Sequence, residues 1–270
     1  MSIVEQIQNG IPCLRSEILE AAGGIAHGFS TRVGGVSTGM WDSLNLGVSR
    51  GDDPDRVREN YRRFLSAVGV EGSLLAMCNQ VHGNEIRNLT TADLKRDPYD
   101  KATFEADGVM TAIPGVTLTV FTADCLPVLL YDPVRRVIAA LHAGWRGTAS
   151  GIVTAAVEQM TAVYGCDPAN ILAAIGPGID QCCFETHEDV PNAMTASLAT
   201  ACLPFINLME NGKFSVDLKG INAKRLELAG LNPDHIDLCR DCTCCMENKY
   251  WSHRRQGTQR GSMASVITLL

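Results

Sequence analysis

The chain has 270 residues, of which 46% are hydrophobic and 20% charged, an ordinary balance for a globular protein with a sizeable core. Its 23 Lys and Arg against 30 Asp and Glu give a formal charge of −7, with no Lys/Arg run, which argues against a protein built to grip nucleic-acid phosphates. Residues 1–10 carry Glu5 and lack the apolar segment of a secretory signal, and no apolar run approaches membrane-spanning length, so the cytoplasm is the expected location.

Residues 23–47 are dense in Gly, Ser and Thr and predict an ordered loop region with unusual backbone angles. Residues 53–68 predict a helix: Pro54 suits its first turn, and Val57, Tyr61, Phe64, Leu65 and Val68 form an apolar stripe. Residues 90–103 are polar and turn-rich and predict a surface loop. Strands are expected at 116–121 and 128–131, then a turn at Asp132-Pro133, then a strand at 137–141. A helix over 148–164 follows, with Thr148 as N-cap and Gly165 closing it. Residues 171–175 read as another buried strand, ended by Pro177-Gly178. No repeat or low-complexity linker divides the chain, so residues 1–270 read as one domain of the α/β (α+β) class, with mixed β-sheets layered with helices.

Eleven cysteines in a chain without a signal read as reduced thiols rather than a disulfide framework. Cys13, Cys78, Cys166 and Cys202 are isolated and fit a buried apolar role. Cys239, Cys242, Cys244 and Cys245 are too crowded for a structural zinc, which needs two well-spaced pairs; the sequence gives this cluster no role and predicts that it is dispensable.

The chemistry centres on the hairpin. A turn centred between Pro133 and Val134 sets Cys125 opposite His142, and directly opposed residues have Cβ atoms about 4.5–5.5 Å apart. A metal at about 2.3 Å from sulfur and about 2.0–2.1 Å from nitrogen fits between them. His82, in Asn79-Gln80-Val81-His82-Gly83, is the natural third ligand, and three protein ligands leave the open position that a catalytic zinc requires. Pro127 warns that the first strand of the hairpin lies at an edge or starts late.

Four motifs together resemble one family: His27-Gly28-Phe29-Ser30-Thr31-Arg32-Val33-Gly34-Gly35-Val36-Ser37, Gln80-Val81-His82-Gly83, Thr122-Ala123-Asp124-Cys125-Leu126-Pro127 and His142-Ala143-Gly144-Trp145-Arg146-Gly147. Ile175-Gly176-Pro177, Cys182-Cys183 and Ser252-His253-Arg254-Arg255 extend the match. The family is that of the polyphenol oxidase or laccase-domain proteins, now regarded as purine nucleoside phosphorylases with adenosine deaminase and methylthioadenosine phosphorylase activity. The resemblance implies zinc on His82, Cys125 and His142, and a three-layer fold related to cysteine-hydrolase toxins. The laccase label fails on ligand count: the trinuclear copper cluster is fed by several His-x-His pairs, whereas this chain has six histidines and no two of them stand two apart. Copper in place of zinc at the single site is compatible with these donors; a multicopper cluster is not.

The implied partners are purine nucleosides and phosphate. Arg146, in a Gly-flanked turn before a helix, is the first candidate for phosphate, and Arg32 is the second. Asn45 and Gln80 are candidates for ribose or base, Trp145 for stacking on a purine, and Asp124 for supporting the metal from the bend. A metal could activate water for attack on C6 of adenosine, although the His-x-Glu signature of zinc nucleobase deaminases is missing and leaves the general acid unassigned. The alternative is a metal-free cysteine hydrolase, with Cys125 as nucleophile and His142 as base, acting on an amide such as a peptidoglycan precursor.

Overall fold

The computed structural model describes residues 2–100 and 104–270. Two six-stranded mixed sheets carry the chain. The first runs in the order Ile3–Gln8, Ile11–Ser16, Ile25–Ser30, Met263–Leu269, Val116–Thr122, Leu74–Ala76. The second runs Ile236–Leu238, Leu172–Ile175, Leu126–Asp132, Val137–Ala143, Gly108–Thr111, Ile86–Asn88. Glu185–Thr186, Phe214–Val216 and Ile206–Leu208 form a separate small antiparallel sheet, whose Val216 packs into the core beside the second sheet.

Side-chain alternation builds the layers. On Leu126–Asp132, Leu129 and Tyr131 enter one core with Leu118 and Ile267 of the first sheet, so the two sheets face each other. Leu126, Val128 and Leu130 enter a second core with Ile152, Val153 and Ile221, on the helices Ile152–Tyr164 and Leu218–Leu228. All seven residues of this strand are buried because both faces of its sheet are covered. The helix Pro54–Val68 covers the outer face of the first sheet, where Val57, Tyr61, Phe64, Leu65 and Val68 pack on Ala264 and Val266. The expected stripe is thus the buried face of that helix, and Asp53 caps it by accepting from the Asp55 and Arg56 amides.

Several expectations are corrected. Residues 23–47 are not all loop: Ile25–Ser30 is a strand, and Gly28 there lets the helix close in, since a Cβ would stand 2.9 Å from Val68 Cγ2. The hairpin register is shifted by two residues, pairing Pro127 with His142 and Asp132 with Val137. The cause is a four-residue loop in which Asp132 Oδ1 accepts from the Val134 and Arg135 amides and Arg136 takes a positive φ of 53°. Leu126–Asp132 is a central strand, and Pro127 is tolerated at its start.

The helix expected over 148–164 is two helices, Trp145–Ala149 and Ile152–Tyr164. They part at Gly151, whose φ of 80° a helix cannot contain, and the buried Arg225 guanidinium takes the freed Ala149 carbonyl at 2.8 Å. Thr148 is therefore no N-cap; it lies within the first helix, and its hydroxyl accepts from Asn222. Of the loop expected at 90–103, residues 101–103 lie outside the described residues; in the remainder Asp93 and Lys95 are buried, and Lys95 bridges Leu75.

Candidate metal centre

His82 and Cys125 lie on segments that cross from one large sheet to the other. His82 follows Leu74–Ala76 of the first sheet and precedes Ile86–Asn88 of the second; Cys125 stands between Val116–Thr122 and Leu126–Asp132. His142 is on the strand Val137–Ala143. Asp124 makes the bend before Cys125 with a φ of 96°, and His82 has a φ of 63°. The ligand atoms of His82, Cys125 and His142 all lie within 4.8 Å of one another, and the two imidazoles meet edge-on with centroids 4.9 Å apart.

Asp107, which no sequence motif singled out, supports this convergence. Gly108 pairs with Leu141, so Asp107 falls opposite His142; its Oδ1 accepts from His142 Nδ1 at 2.8 Å. The imidazole is thereby held with Nε2 free to ligate. The same carboxylate accepts the amides of Val81 at 3.2 Å, His82 at 2.9 Å and Gly83 at 2.6 Å. Burial works against the charge of Asp107, but the bonds from His142 and these amides outweigh it and hold the carboxyl below its usual range. Burial also opposes ionisation of Cys125 and His142, yet each stabilises the other's charge: the thiol is brought down and the imidazole up.

The space between the ligands is kept open. A Cβ on Gly144 would stand 3.2 Å from Cys125 Sγ and 3.3 Å from His82 Cδ2, and one on Gly147 would stand 2.7 Å from the Gly83 carbonyl. One thiolate and two imidazoles form a borderline-soft set that suits zinc or copper. By convergence, donor chemistry and the glycine-lined gap, these residues fit a single metal ion.

His82, Cys125 and His142 open onto a cavity of about 1100 Å³, whose wall includes Gln80, Trp145 and Arg146. Arg146 is exposed and stacks on the Trp145 ring at 4.2 Å; among the described residues no acceptor holds its guanidinium. Gln80 lines the cavity, but its amide is bonded at both ends to the Phe121 backbone, at 2.8 Å each, which ties the His82 loop to the first sheet.

Arg32 and Asn45 are not on the cavity wall. Arg32 bonds to the Asp42 and Glu247 carbonyls and lies 3.8 Å over Trp251. Asn45 is fully buried and accepts from the Gly47 and Ser262 amides. Asp124 sits on the bend, but its carboxylate is taken by Thr243, Ser252 and the Arg254 amide, so it anchors the C-terminal segment behind Cys125. Sequence reasoning also missed Arg50 and Arg260, cavity residues that share Ser262 Oγ as acceptor. Burial, with Arg50 beside it, brings Arg260 down to about 10.

The family described as multi-copper polyphenol oxidoreductase laccase matches residues 26–270. The chain is 40% identical over 260 residues to the purine nucleoside phosphorylase of Deinococcus radiodurans, covering 96% of this chain and 94% of that one. It is 38% identical over 247 residues to purine nucleoside phosphorylase YfiH of Escherichia coli, covering 92% and 95%. Among solved structures, the YfiH protein of Bacillus licheniformis is similar with a TM-score of 0.92 at 30% identity, covering 98% of this chain and 99% of that one. With motifs, fold and nearly full-length similarity in agreement, the chain belongs to this laccase-domain family, in which curated relatives carry the name purine nucleoside phosphorylase.

Proposed function

We propose that this protein is a zinc-dependent purine nucleoside phosphorylase that accepts adenosine, inosine, guanosine and methylthioadenosine and also deaminates adenosine. The observation that carries this reading is the meeting of His82, Cys125 and His142 at a cavity that Arg146 also lines. The names of the relatives supply the reaction class.

His82, Cys125 and His142, which line the cavity, would hold the zinc, and the ion would supply Lewis-acid chemistry there. Asp107 fixes the His142 tautomer and the His82 loop, so two of the three donors are preset before any ion arrives. Arg146, free of acceptors among the described residues and stacked on Trp145, offers its guanidinium to phosphate, whose oxygens it can pair in a bidentate manner. The phosphate would attack C1′ of the ribose and the purine would leave with the bonding electrons. Gln80 holds the loop that presents His82. Among the described residues no helix is long and apolar enough to cross a membrane.

The test is phosphate-dependent release of hypoxanthine from inosine, run beside metal analysis of protein purified without added zinc. Base release that requires phosphate, is lost on chelation and returns with zinc is the expected result. Catalysis that survives complete chelation but needs the Cys125 thiol would instead favour the cysteine-hydrolase chemistry.

A further inference from the structure

We propose that Cys182, Cys183, Cys242 and Cys245 form a second, structural zinc site, separate from the centre at His82, Cys125 and His142. The crowded C-terminal cysteines make sense only in three dimensions. Leu172–Ile175 and Ile236–Leu238 are parallel neighbours, pairing Ala173 with Ile236 and Ile175 with Leu238. They leave the sheet at the same end, and the segment after each contributes two cysteines to the cluster: the adjacent pair Cys182-Cys183 and the pair Cys242-x-x-Cys245. Cys239 and Cys244 are not members. Two pairs of thiols sixty residues apart in sequence are thereby brought together, and the second has the Cys-x-x-Cys spacing common in structural zinc sites.

The geometry fits one ion. The four Sγ atoms lie within 4.8 Å of one another, with Cys182 to Cys183 at 3.8 Å, Cys182 to Cys245 at 3.5 Å and Cys183 to Cys245 at 3.3 Å. Four sulfurs at about 2.3 Å from a tetrahedral zinc stand about 3.8 Å apart, close to these separations. An iron–sulfur cluster would spread its thiolates over several irons and hold them farther apart. All four cysteines are free thiols in the structure.

The surroundings suit a tetrathiolate, whose charge exceeds that of the zinc it binds. The Asp180 amide donates to Cys242 Sγ at 3.4 Å. Three cations tie down the backbone of the two turns: Lys219, only 1% exposed, bonds to the Asp241 carbonyl, Arg254 to that of Cys183, and Arg255 to those of Thr243 and Cys244. Of the acidic groups beside them, Asp180 is paired with Lys219 at 3.2 Å, Asp241 with Lys249 at 2.8 Å and Glu185 with Lys213.

The site would act as a staple. The Thr243 amide bonds to the Gly178 carbonyl, and the Thr243 hydroxyl to Asp124, the residue before Cys125. Ile179 donates its amide to the Asp124 carbonyl. Clamping the two turns together thus fixes the bend that presents Cys125.

The experiment counts zinc in purified wild-type protein, in the double variant Cys182→Ser/Cys183→Ser, and in the double variant His82→Ala/His142→Ala. Two zinc ions per wild-type chain and one in each variant are expected, with the melting temperature of the cysteine variant lowered by several degrees. Wild-type stoichiometry in the cysteine variant would overturn the proposal. One zinc in the wild type, lost from the cysteine variant and kept in the histidine variant, would uphold this site and refute the proposed catalytic zinc, so the two readings fail separately. If the cysteine variant does not fold, zinc-edge X-ray absorption of the wild type decides. A mean sulfur count well above the single thiolate of the other centre supports the site; a count of one, or an intact mass short by the hydrogens of a disulfide, overturns it.

Discussion

Asp107 Oδ1 lies 2.8 Å from His142 Nδ1, and the same buried carboxylate receives the amides of residues 81–83. One side chain therefore sets the ring of one candidate metal ligand, His142, and the backbone of another, His82. Asp107→Asn keeps the shape but adds a donor where only acceptors fit, so it is expected to weaken zinc binding by about 10–100-fold. Competition with a chromogenic chelator measures this. An unchanged affinity would show that His82 and His142 are held by the sheet alone.

The metal-free site also makes a prediction about protons. Burial disfavours both charged forms, but mutual attraction prevails, bringing the Cys125 thiol down to about 6 and the His142 imidazole up to about 9. Between these values the site holds a thiolate and an imidazolium, and a metal must displace the proton of His142. Zinc binding near neutral pH is expected to release about one proton, and affinity should rise about tenfold per pH unit up to about 9, then level off. Calorimetry in buffers of different ionisation enthalpy reads the proton directly. Release of none would refute the paired state.

Cys125→Ser replaces a soft anionic donor with a hydroxyl that ligates zinc poorly. Activity should fall by more than about a hundredfold, beyond the loss typical of a supporting residue. The melting temperature should hold within a few degrees of the wild-type zinc-free protein. Full zinc occupancy with wild-type turnover would make Cys125 an ordinary thiol.

Arg146→Ala separates the two proposed activities. A lost charge-assisted bond is worth about 1.5–3 kcal/mol, or roughly ten- to a hundredfold. The Michaelis constant for phosphate should rise by that factor, while deamination, which needs water and no phosphate, changes little. The ratio of both rates in one preparation is the measurement. Equal losses would mean that Arg146 only shapes the turn after His142; no loss in either would move the phosphate to Arg50 and Arg260.

The sequence by itself determined the helix over 53–68, the central strands and the choice of His82, Cys125 and His142 as candidate metal donors. Periodicity marks the first two, because a buried face repeats its apolar residues at the helical or strand period. The donors could be named because few residue types ligate zinc, and His82, Cys125 and His142 stand in motifs shared with a known family. Tertiary structure decided what depends on which strands become neighbours. It shifted the hairpin register by two residues, a slip that preserves the face, and the bend at Asp124 then brings Cys125 back to His142. It placed Asp107 opposite His142, and it joined Cys182 and Cys183 to Cys242 and Cys245 through two parallel strands far apart in sequence. Local pattern records which side of an element is buried, but not what lies across from it, and every one of these relationships is a contact between distant segments.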